Sequence, residues 1–141
     1  MTTQTIVARG HEHVRGTHES TLELTTDDWL TPAGDCIVGI DASVAPADFP
    51  PTFIEQAQSQ EATLTLELDV AGRTATITGR GHPSLTFADS RSMVVRTSTY
   101  VDDRTVMIDA DHAAVDINRE VIDALGRETE LHATMTVSRE G

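Results

Sequence analysis

Thr3-x-Thr5-Ile6-x-Ala8-Arg9-Gly10-His11 returns as Thr74-x-Thr76-Ile77-x-Gly79-Arg80-Gly81-His82, and this recurrence decides how the chain is read. Working outward, Trp29-Leu30 matches Tyr100-Val101. Asp35-Cys36-Ile37-Val38-Gly39-Ile40-Asp41-Ala42 matches Asp103-Arg104-Thr105-Val106-Met107-Ile108-Asp109-Ala110. Ala45 and Asp48 match Ala113 and Asp116. Phe53, Ile54 and Ala57 match Val121, Ile122 and Leu125, and Glu61 and Thr65 match Glu130 and Thr134. The order is kept with few gaps. The chain therefore reads as one domain, residues 1–141, made of an internal repeat over 1–71 and a second over 72–141. Two copies are too few for an open solenoid, so a closed pair about a pseudo-twofold axis is expected.

Periodicity gives each unit its elements. Leu64, Leu66, Leu68 and Val70 alternate with polar residues, as do Leu131, Ala133, Met135 and Val137, which is the period of half-buried strands. Leu22 and Leu24 alternate in the same way within Thr21–Thr25. Cys36–Asp41 and Thr105–Asp109 are short apolar runs suited to buried strands. Ala71-Gly72 reads as a hairpin joining the halves. Pro50-Pro51 opens a short helix with Phe53, Ile54 and Ala57 on one face. Asn118 caps a second, with Val121, Ile122 and Leu125 as its face and Gly126 as its end. The fold class is mainly β: a jelly-roll-like β-sandwich or barrel from two tandem strand–strand–strand–short helix–strand repeats.

The chain carries 23 acids against 10 bases, a net charge of −13. Every base is Arg; there is no Lys. A surface of short hydrated carboxylates without Lys stems suits a cytoplasm at molar salt, where a Debye length of about 3 Å screens self-repulsion. That reading is haloarchaeal and cytoplasmic. It also weakens the usual argument from net charge against nucleic-acid partners. No apolar run approaches the roughly 20 residues of a membrane span, and the N-terminus lacks the pattern of a secretory signal. The single Cys36 excludes an internal disulfide and any multi-cysteine metal site.

Gly10-His11, Val14, Thr17-His18, Thr21-Leu22-Glu23, Leu30-Thr31-Pro32, Gly34-Asp35-Cys36-Ile37, Gly81-His82-Pro83 and Asp103-Arg104-Thr105 together resemble the archaeal domain of unknown function numbered 371. The resemblance runs nearly end to end. It implies an archaeal cytosolic protein with a mainly β, jelly-roll-like fold, and it carries no activity. Ala33 departs from the basic residue expected after Pro32, which weakens a phosphate role for that loop.

The candidate polar site comprises His11, His18, Glu23, Asp35, His82 and Arg104. His11, His18, Asp35 and Cys36 are candidate ligands for a divalent metal, because imidazole, carboxylate and thiolate are its common donors. No HExxH or CxxC spacing supports it, and Gly-His repeated in both halves equally suits a structural corner. Cys36 can be read as a nucleophile with His11 or His18 as base, or as a small buried thiol. Arg9, Arg15, Arg80, Arg91, Arg96 and Arg104 can gather as an anion pocket or pair with the abundant acids. Trp29 and Tyr100 can stack on a ligand, plug the core or meet a partner. The halves differ where the first has His13, His18, Glu23 and Cys36 and the second has Ser84, Asp89, Val94 and Arg104. Two functions follow. One is a binding or accessory module for a small anionic ligand, RNA or a ribonucleoprotein partner. The alternative is a metal-assisted or His-dependent hydrolase. A structural role, with the chain as a homo-oligomer, is the third.

Overall fold

Alternation builds the longest strands. Leu64, Leu66, Leu68 and Val70 are buried, as are Leu131, Ala133, Met135 and Val137, while Thr63, Glu67 and His132 face water. The structure, a computed structural model, describes residues 1–139. The first half runs β1 (Thr2–Arg9), β2 (Thr21–Thr25), β3 (Ile37–Gly39), α1 (Pro51–Ala57) and β4 (Ala62–Val70). The second runs β5 (Arg73–Arg80), β6 (Ser92–Arg96), β7 (Thr105–Met107), α2 (Arg119–Leu125) and β8 (Glu130–Arg139). A 3-10 turn precedes each helix, at Pro46–Asp48 and Ala114–Asp116.

The strands form two four-stranded sheets, ordered β1-β8-β4-β5 and β3-β2-β6-β7. Both orders read the same when each element is exchanged for its namesake in the other half. The first sheet is antiparallel throughout. In the second, β2 and β6 are antiparallel, while β2–β3 and β6–β7 are short parallel pairs with a register shift. Isolated bridges, Arg9 to Ile40 and Arg80 to Ile108, tie the edges of the two sheets. The sheets do not close into a barrel, so the sandwich is the architecture that forms. Its eight strands in two sheets keep the jelly-roll count, with the parallel pairs as an addition.

Ala71 and Gly72 make the expected two-residue hairpin. Both have positive φ, 52° and 84°, and Val70 pairs with Arg73 across them. This is the turn whose twist matches antiparallel strands. Phe53 and Ala57 of α1 are buried, with Ile54 packed against the core from a half-buried position. Asn118 caps α2 by accepting the Glu120 N–H at 2.8 Å. Gly126 follows the helix, but in the right-handed region at φ −67°; the left-handed residue is Glu128, φ 60°.

Each half closes on the other. Gly10, at the end of β1, lies so near the end of α2 that an added Cβ would sit 1.8 Å from the Leu125 carbonyl oxygen. Gly81, at the end of β5, meets α1 likewise, 2.1 Å from the Ala57 oxygen. Here the glycine is required by close approach of two backbones.

Candidate functional site

His11, His18 and His82 serve the backbone. His11 Nδ1 accepts the His13 N–H at 3.0 Å, and His82 Nδ1 accepts the Ser84 N–H at 2.9 Å. His18 Nδ1 accepts from the Ser20 and Thr21 N–H groups at 3.2 and 3.1 Å. In the matching turn, the Asp89 carboxylate accepts from Arg91 and Ser92 at 3.0 and 2.6 Å. His18 and Asp89 are thus different side chains performing one task, capping the turn that launches β2 or β6. The Asp35 carbonyl takes the Thr17 and His18 N–H groups and holds that turn against the entry to β3. Among the described residues, no three His, Cys, Asp or Glu side chains gather where they could hold a metal ion. The arrangement does not bring His11, His18, Asp35 and Cys36 together as a ligand set.

Most of the arginines face carboxylates. Arg9 pairs with Asp41, and Arg80 pairs with the equivalent Asp109. Arg91 grips Asp27 through Nε and Nη2, with contacts of 2.8–3.2 Å. These groups are spread over the surface and do not converge on one anion pocket.

The outer face of the second sheet is different. Leu22 and Leu24 of β2, with Met93 and Val95 of β6, enter the common core. By the two-residue period, Thr21, Glu23 and Thr25 and their partners Ser92, Val94 and Arg96 occupy the opposite face. Glu23 lies directly across from Val94. The Glu23 N–H donates to the Cys36 carbonyl at 2.8 Å, and the Val94 N–H donates to the Arg104 carbonyl at 2.8 Å. The ladder therefore assembles positions 23, 36, 94 and 104, where the two halves carry different chemistry.

Glu23 is 8% exposed. Its Oε1 stands 4.0 Å from Arg104 Nη1 and 4.0 Å from the Cys36 sulfur. Both contacts are longer than a good hydrogen bond to nitrogen or oxygen. Burial pushes the Glu23 carboxyl above its ordinary value, and the Arg104 guanidinium and Ser92 hydroxyl pull it back only in part. Burial, and then the Glu23 charge, push the Cys36 thiol up as well. Both causes favour the protonated thiol, which weighs against the nucleophile reading.

A polar chain leads from this cluster to the surface. Arg104 Nη2 reaches Asp102 at 3.3 Å, and Arg96 Nη2 reaches the same carboxylate at 3.0 Å. Arg96 Nε donates to the Thr105 hydroxyl at 2.8 Å, and its guanidinium lies 4.8 Å from the centre of the Tyr100 ring. Burial alone would raise the Asp102 carboxyl. The Thr105 hydroxyl, the Arg104 N–H and the Arg96 guanidinium outweigh it and hold the carboxyl below its usual range. Tyr100 is 60% exposed and Trp29, its match in the loop after β2, is 57% exposed. Neither plugs the core. Arg104 is half exposed, so its guanidinium can be reached from solvent even though it contacts Asp102.

Of the sequence candidates, the structure joins Glu23, Cys36 and Arg104, and leaves His11, His18, Asp35 and His82 in turns. Asp102 and Thr105 hold Arg96 and Arg104; Thr105 stands in the Asp103-Arg104-Thr105 motif, whereas Asp102 belongs to no motif of the sequence. Residues 6–138 match the family model described as Domain of unknown function (DUF371). The chain belongs to the DUF371 family. A DUF371 relative in Methanocaldococcus jannaschii, "Uncharacterized protein MJ0206", is 43% identical over 126 residues, 89% of this chain and 93% of the relative. The DUF371 chain is thus an archaeal-type β protein. No helix among its described residues is long and apolar enough to cross a membrane.

Proposed function

We propose that this DUF371 protein is a binding module, with its site on the outer face of the second sheet at Glu23, Cys36 and Arg104. Arg104 receives the anionic group of a small ligand. Glu23 accepts a hydrogen bond from a donor on the same ligand, and Tyr100, stacked beside Arg96, offers an exposed aromatic face for a planar part. The observation that carries this reading is the contrast between Glu23 and Val94. A carboxylate buried 4.0 Å from its nearest cation is costly. The same place in the other half is filled by valine, so the sheet itself has no need of the charge.

The reading rests on the two halves being copies of one unit about a pseudo-twofold axis between β2 and β6, one copy having gained a polar centre. The same element order in both halves and the palindromic sheet orders support that origin. The absence of Lys and the net charge of −13 support a haloarchaeal cytoplasm as its setting. A hydrolase is less favoured, since the thiol is pushed up and the Nδ1 atoms of His11 and His18 are taken by backbone N–H groups. A ribonucleoprotein partner is less favoured because Arg9, Arg80 and Arg91 already face carboxylates.

Calorimetric titration with inorganic phosphate in molar salt tests the proposal. The expected result is saturable binding that Arg104→Ala abolishes and Arg91→Ala leaves intact. Absence of binding to the wild-type chain, or equal loss in both variants, would overturn it.

A further inference from the structure

A second asymmetry lies on the first sheet, at its β5 edge. Both backbone groups of Thr78 are taken by Asp111: the Thr78 N–H donates to the Asp111 side chain, Oδ1, at 2.9 Å, and the Thr78 carbonyl accepts the Asp111 N–H at 2.9 Å. Arg80 exchanges backbone bonds with Ile108 at 2.8 and 3.0 Å. Both residues therefore direct their backbone groups away from β4. By the period of a strand, Thr76 and Thr74 direct theirs the same way. Those groups have no partner among the described residues.

On β1 the corresponding edge is closed further along. Val7 exchanges bonds with Ser43, and Gln4 Nε2 caps the next outward carbonyl, that of Thr5, at 2.7 Å. Ala75 stands where β1 has Gln4 and has no group to cap with. Natural sheets usually blunt such edges; here the outward Thr5 carbonyl of β1 is capped and the equivalent Thr76 carbonyl of β5 is open. Beside the open stretch lies a cavity of about 320 Å³, walled on its far side by His112, Asp116 and Asn118. Asp111 and His112 replace Ser43 and Val44 of the first half. Asp111 Oδ1 meets His112 Nδ1 at 2.7 Å, which fixes the ring and leaves Nε2 free. The carboxylate on this wall is Asp116, whose Oδ2 accepts the Ala113 N–H at 2.9 Å.

We propose that the β5 edge at Thr74–Thr76 is a docking site for an extended peptide segment of a partner protein, which adds to the first sheet as a fifth strand and sets a basic side chain against Asp116. Backbone pairing supplies the register, and the cavity supplies the choice of side chain, as in other strand-addition sites. The Asp116 carboxylate selects a cation over an acid at contact distance, where molar salt screens least. This inference is independent of the small-ligand site on the other sheet.

The probe is a synthetic peptide, acetyl-Thr-Val-Arg-Val-Thr-amide, titrated in molar salt while backbone amide signals of the full chain are followed by nuclear magnetic resonance. The expected result is saturable shifts at Thr74, Thr76 and His112, with slowed amide exchange at Thr74 and Thr76. The peptide with Glu in place of Arg should bind several-fold more weakly. Thr74→Pro removes one outward N–H, which an edge strand tolerates, and should abolish binding. Ala75→Gln installs the cap seen on β1 and should also block it, with circular dichroism confirming that the fold persists. The proposal is overturned by an absence of saturable shifts at the edge, or by undiminished binding in folded Ala75→Gln. It is also overturned if shifts at Thr74 and Thr76 grow with protein concentration in the absence of peptide, since the occupant would then be a second copy of the chain.

Discussion

Glu23→Gln should make Cys36 react faster with iodoacetamide. In the native chain the carboxylate lies 4.0 Å from the sulfur, and its charge helps hold the thiol protonated. Gln keeps the shape and removes the charge. A unit charge at that separation is worth about 1 kcal/mol in a water-like medium and about 4 kcal/mol at an effective dielectric constant of about 20. Cys36 is partly exposed, so the lower figure applies. About 1 kcal/mol raises the thiolate fraction about fivefold. A thiolate of lower pKa is also a weaker nucleophile, with a Brønsted slope of about 0.4–0.5, which removes nearly half of that gain on a logarithmic scale. The net acceleration expected is about two- to threefold. Initial rates at mildly alkaline pH and constant molar salt provide the assay, because ionised Glu23 then acts on the wild-type thiol. Glu61→Gln is the control. Both proteins should still react more slowly than a free small thiol, since burial is the larger cause of the raised value. An unchanged or slower rate in Glu23→Gln would refute the coupling on which the site is built.

Four further outcomes are expected. Gly10→Ala and Gly81→Ala should each cost about 3 kcal/mol, lowering the thermal midpoint by about 10 °C, because the new methyl group meets a backbone carbonyl that cannot swing aside. His11→Ala and His82→Ala, which lose one turn hydrogen bond each, should cost about 1 kcal/mol, and calorimetric melting distinguishes the two classes. Ala71→Asn should stabilise the chain by about 0.5–1 kcal/mol in chemical denaturation, because Asn accepts the left-handed φ of 52° more readily than Ala does. Lowering salt from molar to about 0.1 M, where the Debye length grows to about 10 Å, should lower the thermal midpoint, and an unchanged midpoint would contradict the high-salt reading of the −13 charge.

What could be read in advance was periodic or repeated. The alternation of Leu64–Val70 and Leu131–Val137 is a local consequence of which face meets the core, so β4 and β8 were legible, as was the turn at Ala71-Gly72. Matching the halves also marked Glu23 against Val94 and Cys36 against Arg104 as places of divergence. The histidines misled because composition does not show which ring atom is in use. His11 and His18 have the residue type of metal ligands, but their Nδ1 atoms accept N–H groups two or three residues on, a feature set by turn geometry. Asp102 is invisible in the sequence because its importance comes from Arg96, which reaches it across a loop. The exposure of Trp29 and Tyr100 also lay beyond pattern reading, since a lone aromatic in a loop has no period to place it.

The most direct test of the central claim is a map of backbone amide shifts during titration with inorganic phosphate in molar salt. A site on the outer face of the second sheet predicts saturable shifts centred on Glu23, Cys36 and Arg104, extending to Tyr100 and absent in Arg104→Ala. Shifts centred instead on the Gly10-His11 and Gly81-His82 corners, or none above those caused by added chloride, would contradict it.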